Sequence, residues 1–224
     1  MVIFGGIDNA GNFLADTWSY DGTTWSQIST TGAIPSRGFH GFAFDESRNR
    51  MVVFGGRDSG GSVLQDTWEL VGTTWTQVST GTLPPARDQM GLVYDSIAKR
   101  VLMFGGFNPD PSKQDDRMWS YNGVDWIDTG APAGPSKRWA HAMAFDSISN
   151  RVILFAGIGG GDETWAFIGT SWTNLGPGKR PPGLLGHAMT FHADASVGRV
   201  VLFGGEFTGL AGYDHDGTWV YDEV

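Results

Sequence analysis

Met51-Val52-Val53-Phe54-Gly55-Gly56 returns four more times along this 224-residue chain, as Met1 to Gly6, Val101 to Gly106, Val152 to Gly157 and Val200 to Gly205. Ala156 takes the place of the first Gly in the fourth of these stretches. The closing Phe falls at Phe4, Phe54, Phe104, Phe155 and Phe203, so the spacings are 50, 50, 51 and 48. Self-similarity at that period indicates stacked units, none of which can bury its apolar face alone.

Around each copy lie three further strand signals. In the unit of Phe54 these are His40 to Phe44, Thr67 to Leu70 and Thr74 to Val78, rich in aromatic and β-branched residues and separated by Gly, Pro, Asp or Asn. Helical periodicity is sustained nowhere, so the chain reads as all-β. The third-strand Trp precedes the fourth-strand Trp by 7 residues at Trp18/Trp25, Trp68/Trp75, Trp119/Trp126 and Trp165/Trp172. Asp21-Gly22, Val71-Gly72, Asn122-Gly123 and Ile168-Gly169 between them read as tight hairpin turns. From the fourth-strand Trp to the next first-strand aromatic the step is 19 in every copy (Trp25 to Phe44, Trp75 to Tyr94, Trp126 to Phe145, Trp172 to Phe191). Only the segment after the diglycine varies freely in length.

Four-stranded antiparallel units at this period predict a propeller. The whole chain resembles the kelch family: a diglycine ends the second strand, Trp-x-Tyr marks the third (Trp18-Ser19-Tyr20, Trp119-Ser120-Tyr121, Trp219-Val220-Tyr221) and Trp the fourth. It is most similar to the bacterial, galactose-oxidase-central-domain-like variety with Asp-Thr-Trp, Gly-Thr-Thr-Trp and Pro-x-x-Arg-x-x-His. The expected architecture is one kelch-type β-propeller over 1–224, with five units at about 1–30, 39–80, 88–129, 139–175 and 186–224. The chain opens at a second strand and stops after a third, so the first and last units are incomplete and 18 strands are expected. It therefore reads as a segment of a longer propeller whose open edges favour self-association.

Composition narrows the function. Net charge is −9 and no Lys/Arg-rich run occurs, which argues against a nucleic-acid partner. With no Cys there is no disulfide, thiolate metal site or cysteine nucleophile. No apolar run approaches the roughly 18 residues of a membrane span, and Met1 leads directly into repeat rather than a signal peptide. The resemblance implies a secreted or cell-surface location, which the residues themselves do not address.

Repeated polar residues read as structural. Asp45/Arg50, Asp95/Arg100, Asp146/Arg151 and Asp194/Arg199 recur in register, as hairpin ion pairs worth about 0.2–1 kcal/mol each if exposed. His40, His141 and His187 form a column with Met90 in the remaining place, which reads as hydrogen-bonded His between blades rather than a metal site. Arg37, Arg87 and Arg138, three residues before that column, are expected to bond interblade carbonyls; Leu184 stands in the fourth place. Asp21-Gly22-Thr23-Thr24-Trp25 lacks the residue between Asp and Gly of the sialidase Asp-box. Galactose oxidase, a relative of the resembled family, needs a Cys-crosslinked Tyr that this chain cannot make. The Glu-x-x-x-Asp-x-x-x-His iron signature of nitrile-specifier proteins is missing too. No cofactor, metal or catalytic set is expected.

Loops after second and fourth strands leave the same end of every blade, and there the length variation collects. Asp8, Phe13, Asp58, Phe107, Asp110, Asp162, Glu206, Phe207, Tyr213 and Asp214 at that end are the candidate binding residues. Acidic groups beside aromatics suit a stacked sugar or a basic protein surface. The reading is a non-catalytic recognition module for a protein or glycan. The alternative is the propeller part of a carbohydrate-active enzyme whose catalytic residues lie outside this segment.

Overall fold

The β-branched and aromatic runs form five antiparallel blades in a propeller, seen in a computed structural model that describes residues 1–176, 181–194, 197–207 and 216–221. Blade 1 has three strands, β1 (Val2–Ile7), β2 (Phe13–Tyr20) and β3 (Trp25–Ile28). Blade 2 is complete, with β4 (Gly41–Asp45), β5 (Arg50–Phe54), β6 (Thr67–Val71) and β7 (Thr74–Val78) in spatial order. Blade 3 repeats it with β8 (Gly91–Asp95), β9 (Arg100–Phe104), β10 (Met118–Tyr121) and β11 (Trp126–Asp128). Blade 4 does so with β12 (Ala142–Asp146), β13 (Arg151–Phe155), β14 (Thr164–Ile168) and β15 (Ser171–Asn174).

A short strand, β16 (Leu184–Leu185), precedes blade 5, whose described strands are β17 (Ala188–Asp194), β18 (Val197–Phe203) and β20 (Thr218–Tyr221). β16 pairs with β19 (Glu206–Phe207). In the other blades the same place holds single bridges, Gly38 to Arg57, Asp88 to Phe107 and Trp139 to Ile158. Inner strands β4, β8, β12 and β17 pack in sequence around the axis.

Inner hairpins are closed by their Asp. The Asp95 carboxylate accepts the Ile97 and Ala98 amides, and Asp146 those of Ile148 and Ser149, while Lys99 and Asn150 turn the chain at φ 56° and 50°. The second oxygen takes the expected Arg in blades 3 and 4, Arg100 at 3.2 Å and Arg151 at 3.0 Å. These Asp are buried, so the value for exposed pairs does not apply to them. Blade 2 departs from the pattern. Arg48 takes Asp45 at 2.7 Å, and Arg50 reaches Glu69 at 2.6 Å, because that buried acid draws both cations and the Tyr121 hydroxyl (2.9 Å). In blade 5 the hairpin is longer, and Arg199 lies opposite His192 rather than Asp194.

Blades are joined through the Arg column and the diglycine. Arg87 is buried, donating Nε to the Pro85 carbonyl, Nη1 to the Gly105 carbonyl (2.8 Å) and both Nη atoms to Asp115 at 2.9 Å. Arg37 does the same with Pro35, Gly55 and Asp66, and Arg138 donates Nε to the Ser136 carbonyl, Nη1 to the Ala156 carbonyl and Nη2 to Glu163. The side chain thus bonds a carbonyl of the interblade connection, as expected, and with its remaining donors grips the blade it leads into. The step between blades is made by its own carbonyl, which accepts the second diglycine amide of the preceding blade: Gly6 to Arg37, Gly56 to Arg87, Gly106 to Arg138, each 2.9 Å. A Cβ on Gly55 would lie 2.5 Å from the Arg87 carbonyl oxygen. The single Ala at that place, Ala156, faces the single connection without an Arg, that of Leu184.

Gly55 and Gly72 share φ 60°, yet nothing lies within 4 Å of a Cβ on Gly72. Gly72→Ala therefore carries only the left-handed penalty of roughly 1 kcal/mol, and Gly55→Ala is expected to lose clearly more in urea denaturation. Equal losses at the two sites would remove the close-approach explanation of the diglycine.

Candidate functional site

Two axial regions present side chains to solvent, one at each end of the blades. At the variable-loop end, Phe39, Gln89, Ala140 and Gly186 all adopt positive φ (58°, 54°, 54° and 65°). Their backbones form a belt around the axis, Gln89 N–H to Phe39 carbonyl (2.8 Å), Ala140 to Gln89 (2.9 Å) and Gly186 to Ala140 (2.9 Å). That conformation is uncommon for non-Gly residues and is over-determined here by the interblade hydrogen bonds. It leaves the Phe39 ring half exposed.

Outside the belt, Arg57, Phe107 and Trp139 lie side by side. The Phe107 and Trp139 rings are 5.2 Å apart, and the Arg57 guanidinium lies 5.7 Å from the Phe107 centroid. Asp88, fully buried, holds Arg57 Nε at 2.6 Å and accepts Gln89 at 3.3 Å. The arrangement is an aromatic platform with one cation fixed over it and already paired. Trp139, Phe39 and Asp88 were not singled out from the sequence. A signal existed for the first: nine of the ten Trp occupy repeat positions, and Trp139 is the tenth.

The candidate acids are held by their own loops. Asp8 accepts the Ala10 and Asn12 amides (2.9 and 2.8 Å), Asp58 those of Gly60 and Ser62 (both 2.9 Å), and Asp110 that of Ser112 (3.0 Å). The Asn12 hydrogen bonds keep Asp8 below the usual carboxylate range, and Ser112 does so for Asp110. Both stay ionised, Asp8 half-buried and Asp110 exposed. Phe13 lies in β2 opposite Ile7, against Gly38. Phe207 packs on Phe155, Leu184 and Leu202, and Glu206 pairs with Leu185 beside it. Asp162 is half-buried in the turn before β14. Tyr213 and Asp214 lie outside the described residues. The structure thus gathers Phe107 with Arg57 and Trp139, and spreads the acids over separate loops.

At the opposite end a cleft of about 420 Å³ opens among the inner strands, lined by Phe44, Tyr94, Phe145 and Phe191 with Glu46 and Ser147 at its rim. The sequence reading placed nothing there.

The His column lies inside. His40, His141 and His187 each pack a ring against the Phe ending the preceding blade's second strand, at 5.3, 5.8 and 5.6 Å from Phe4, Phe104 and Phe155. Met90 fills the same place in the core of blades 2 and 3. The expected interblade location holds, and within the protein neither ring nitrogen of His141 or His187 makes a hydrogen bond of normal geometry. Burial lowers His40 to about 4 and, with Arg37 nearby, favours the neutral ring. Burial and then Arg138 and His187 lower His141 to about 3, and burial lowers His187 to about 4 against the pull of the Phe155 carbonyl. Among the described residues no three His, Cys, Asp or Glu side chains gather as a metal site requires, and no helix is long and apolar enough to cross a membrane. Neither protein-family models nor curated proteins return a match to the chain.

An unfolded His titrates near 6.5, so between there and 4 the unfolded chain holds more protons than the folded one. Stability is complete above that window and lost as pH falls through it, by about 1.4 kcal/mol per pH unit for each His. Burial alone would raise Asp66, but its bonds to Arg37 hold it below the carboxylate range, so its own loss comes at lower pH. His141→Met, copying Met90, is expected to flatten the fall in urea midpoint between pH 6.5 and 4.5 by one proton's worth. An unchanged slope would show that His141 is protonated in the fold.

Proposed function

We propose that the chain is a kelch-type recognition module that binds a protein or glycan at the variable-loop end, with no chemistry of its own. The observation that carries this reading is the platform of Phe107 and Trp139 with Arg57 held over it by Asp88, beside the exposed Phe39. Large aromatic surface on rigid backbone is the feature that dominates recognition energetics, since little entropy is lost when it is covered. Asp8, Asp58, Asp110, Asp162, Glu206 and the neighbouring aromatic side chains form the rim of this surface. The resemblance of the repeats to kelch sequences supports the same end, because length variation in the array collects there.

The two ligand classes differ in their response to salt. A basic protein surface drawn to the acidic rim is released as ionic strength rises, while a neutral sugar stacked on Trp139 is held nearly unchanged. Glycan and protein arrays probed at low and high salt identify the class. Phe39→Ala with Trp139→Ala is expected to weaken the hit at least about tenfold, near 1.4 kcal/mol, with an unaltered melting curve. Full binding by that double variant would place recognition elsewhere.

A further inference from the structure

The two junctions among blades 2, 3 and 4 begin alike. The Phe ending the second strand meets the fourth-strand Trp of the next blade, Phe54 with Trp126 at 5.0 Å and Phe104 with Trp172 at 5.1 Å, as Phe4 meets Trp75. A Thr of the preceding blade receives the indole N–H of Trp75 and of Trp126, Thr17 at 3.2 Å and Thr67 at 2.9 Å. At the end opposite the variable loops, each junction also carries an Arg that bonds the Asp of its own inner strand and reaches a turn of the next blade. Between blades 2 and 3 it is Arg48, with Nε on Asp45 (2.7 Å) and Nη1 on the Gly123 carbonyl (3.4 Å). Between blades 3 and 4 it is Arg100, with Nε on Asp95 (3.2 Å) and Nη2 on the Gly169 carbonyl (3.4 Å).

There the two junctions part. The first is filled by a carboxylate: Glu69 accepts Arg48 at 2.5 Å and Arg50 at 2.6 Å, and the Tyr121 hydroxyl donates to it at 2.9 Å. In the second, Ser120 stands in the place of Glu69, Phe167 in that of Tyr121 and Ala98 in that of Arg48. Phe167 packs on Trp172 at 5.1 Å as Tyr121 does on Trp126 at 5.1 Å, so the ring is kept and its hydroxyl is lost. The substitutions leave a cavity of about 130 Å³ with the exposed Ala98 and Gly169 at its mouth. Leu102, Phe145, Val152 and Phe167, all buried, form its apolar wall. Arg100 lines it too, and its Nη1 makes no hydrogen bond among the described residues. The neighbouring charges are already engaged: Asp95 accepts the Ile97 and Ala98 amides and Arg100, and Arg151 donates to Asp146 at 3.0 Å.

We propose that this cavity binds a small aliphatic carboxylate. Its charged end takes the place that Glu69 fills one junction earlier and accepts Arg100, which then bridges two carboxylates as Arg48 does. Its chain covers the apolar wall. A cavity of about 150 Å³ holds one benzene, so roughly six non-hydrogen atoms fit here, the size of butyrate. An inorganic anion would leave the wall uncovered. A neutral amide of the same shape meets the guanidinium without a charge, in a hydrogen bond of roughly half the strength. The site lies between two complete blades and at the other end from the aromatic platform, so neither depends on the other.

Ligand-observed saturation-transfer NMR with butyrate and with butyramide, at constant ionic strength, tests the site. Butyrate is expected to bind saturably in the millimolar range, and butyramide at least about tenfold more weakly. Ser120→Glu supplies a carboxylate from the chain itself and is expected to weaken butyrate at least about tenfold. Phe167→Tyr restores the phenol that serves Glu69 and is expected to tighten butyrate several-fold. It keeps the test decisive should Ser120→Glu lose the wild-type circular dichroism spectrum. No saturable binding, equal binding of butyrate and butyramide, butyrate undiminished by a folded Ser120→Glu, or no tightening by Phe167→Tyr would each overturn the proposal.

Discussion

A guanidinium buried at the base of each central blade is the constraint on which the array depends. Arg37, Arg87 and Arg138 are almost inaccessible, and each is surrounded by two backbone carbonyls and a carboxylate. A charge so placed is tolerable only with these partners, since removing one leaves the other buried and unpaired. That requirement fixes three distant pieces at once: the connection into the blade, the diglycine and the start of the third strand. Asp66, Asp115 and Glu163 also accept the indole N–H of Trp68, Trp119 and Trp165, so the clasp orients the third strand as well. Blade 5 abandons the device as a whole. Leu184 replaces the Arg, Gly217 stands where the acid would be, and an apolar cluster with Leu202 and Phe207 takes the space.

Between blades the work is divided between two kinds of contact. Apolar burial of the Phe–Trp pairs supplies the larger share of the attraction, with no dependence on direction. Register comes from the hydrogen bonds: diglycine amide to connection carbonyl, indole to Thr, and the belt of Phe39, Gln89, Ala140 and Gly186 around the axis. The junction of blades 2 and 3 adds a polar set, the buried Glu69 and Tyr121 with the half-buried Arg48 and Arg50, in which Arg48 also lies 5.2 Å from the Tyr121 ring. Burial lowers Arg48, but its bonds to Glu69 and Asp45 raise it further, and burial next to Glu69 raises Tyr121. Arg48 and Tyr121 therefore keep their charge states at neutral pH.

The periodicity made the blades legible because strand length, hairpin length and the Trp and Phe positions all follow from packing that repeats. The 19-residue step from Trp25 to Phe44 is one junction, written four times. What the sequence concealed lies where pieces meet across loops of variable length. Asp66 reads as a turn residue before a strand, and nothing in the spacing shows that Arg37, 29 residues earlier, closes on it. Glu69 likewise sits at a place where other blades carry Ser, Ala or Val, so its capture of Arg50 had no repeated pattern behind it. At the variable-loop end the acids were visible and the platform was not. Phe107 acquires its neighbours from two other segments, Arg57 held there by its ion pair with Asp88 and Trp139 by ring contact.

The clasp is tested most directly by a double-mutant cycle on Arg87→Leu and Asp115→Gly, which together copy the Leu184 and Gly217 of blade 5. Each single change is expected to cost roughly 3–5 kcal/mol in urea denaturation, because it strands a buried charge. The double variant is expected to cost less than the sum of the singles by at least about 1 kcal/mol. Strict additivity of the two changes would contradict a coupled clasp and leave the burial of Arg87 without its explanation.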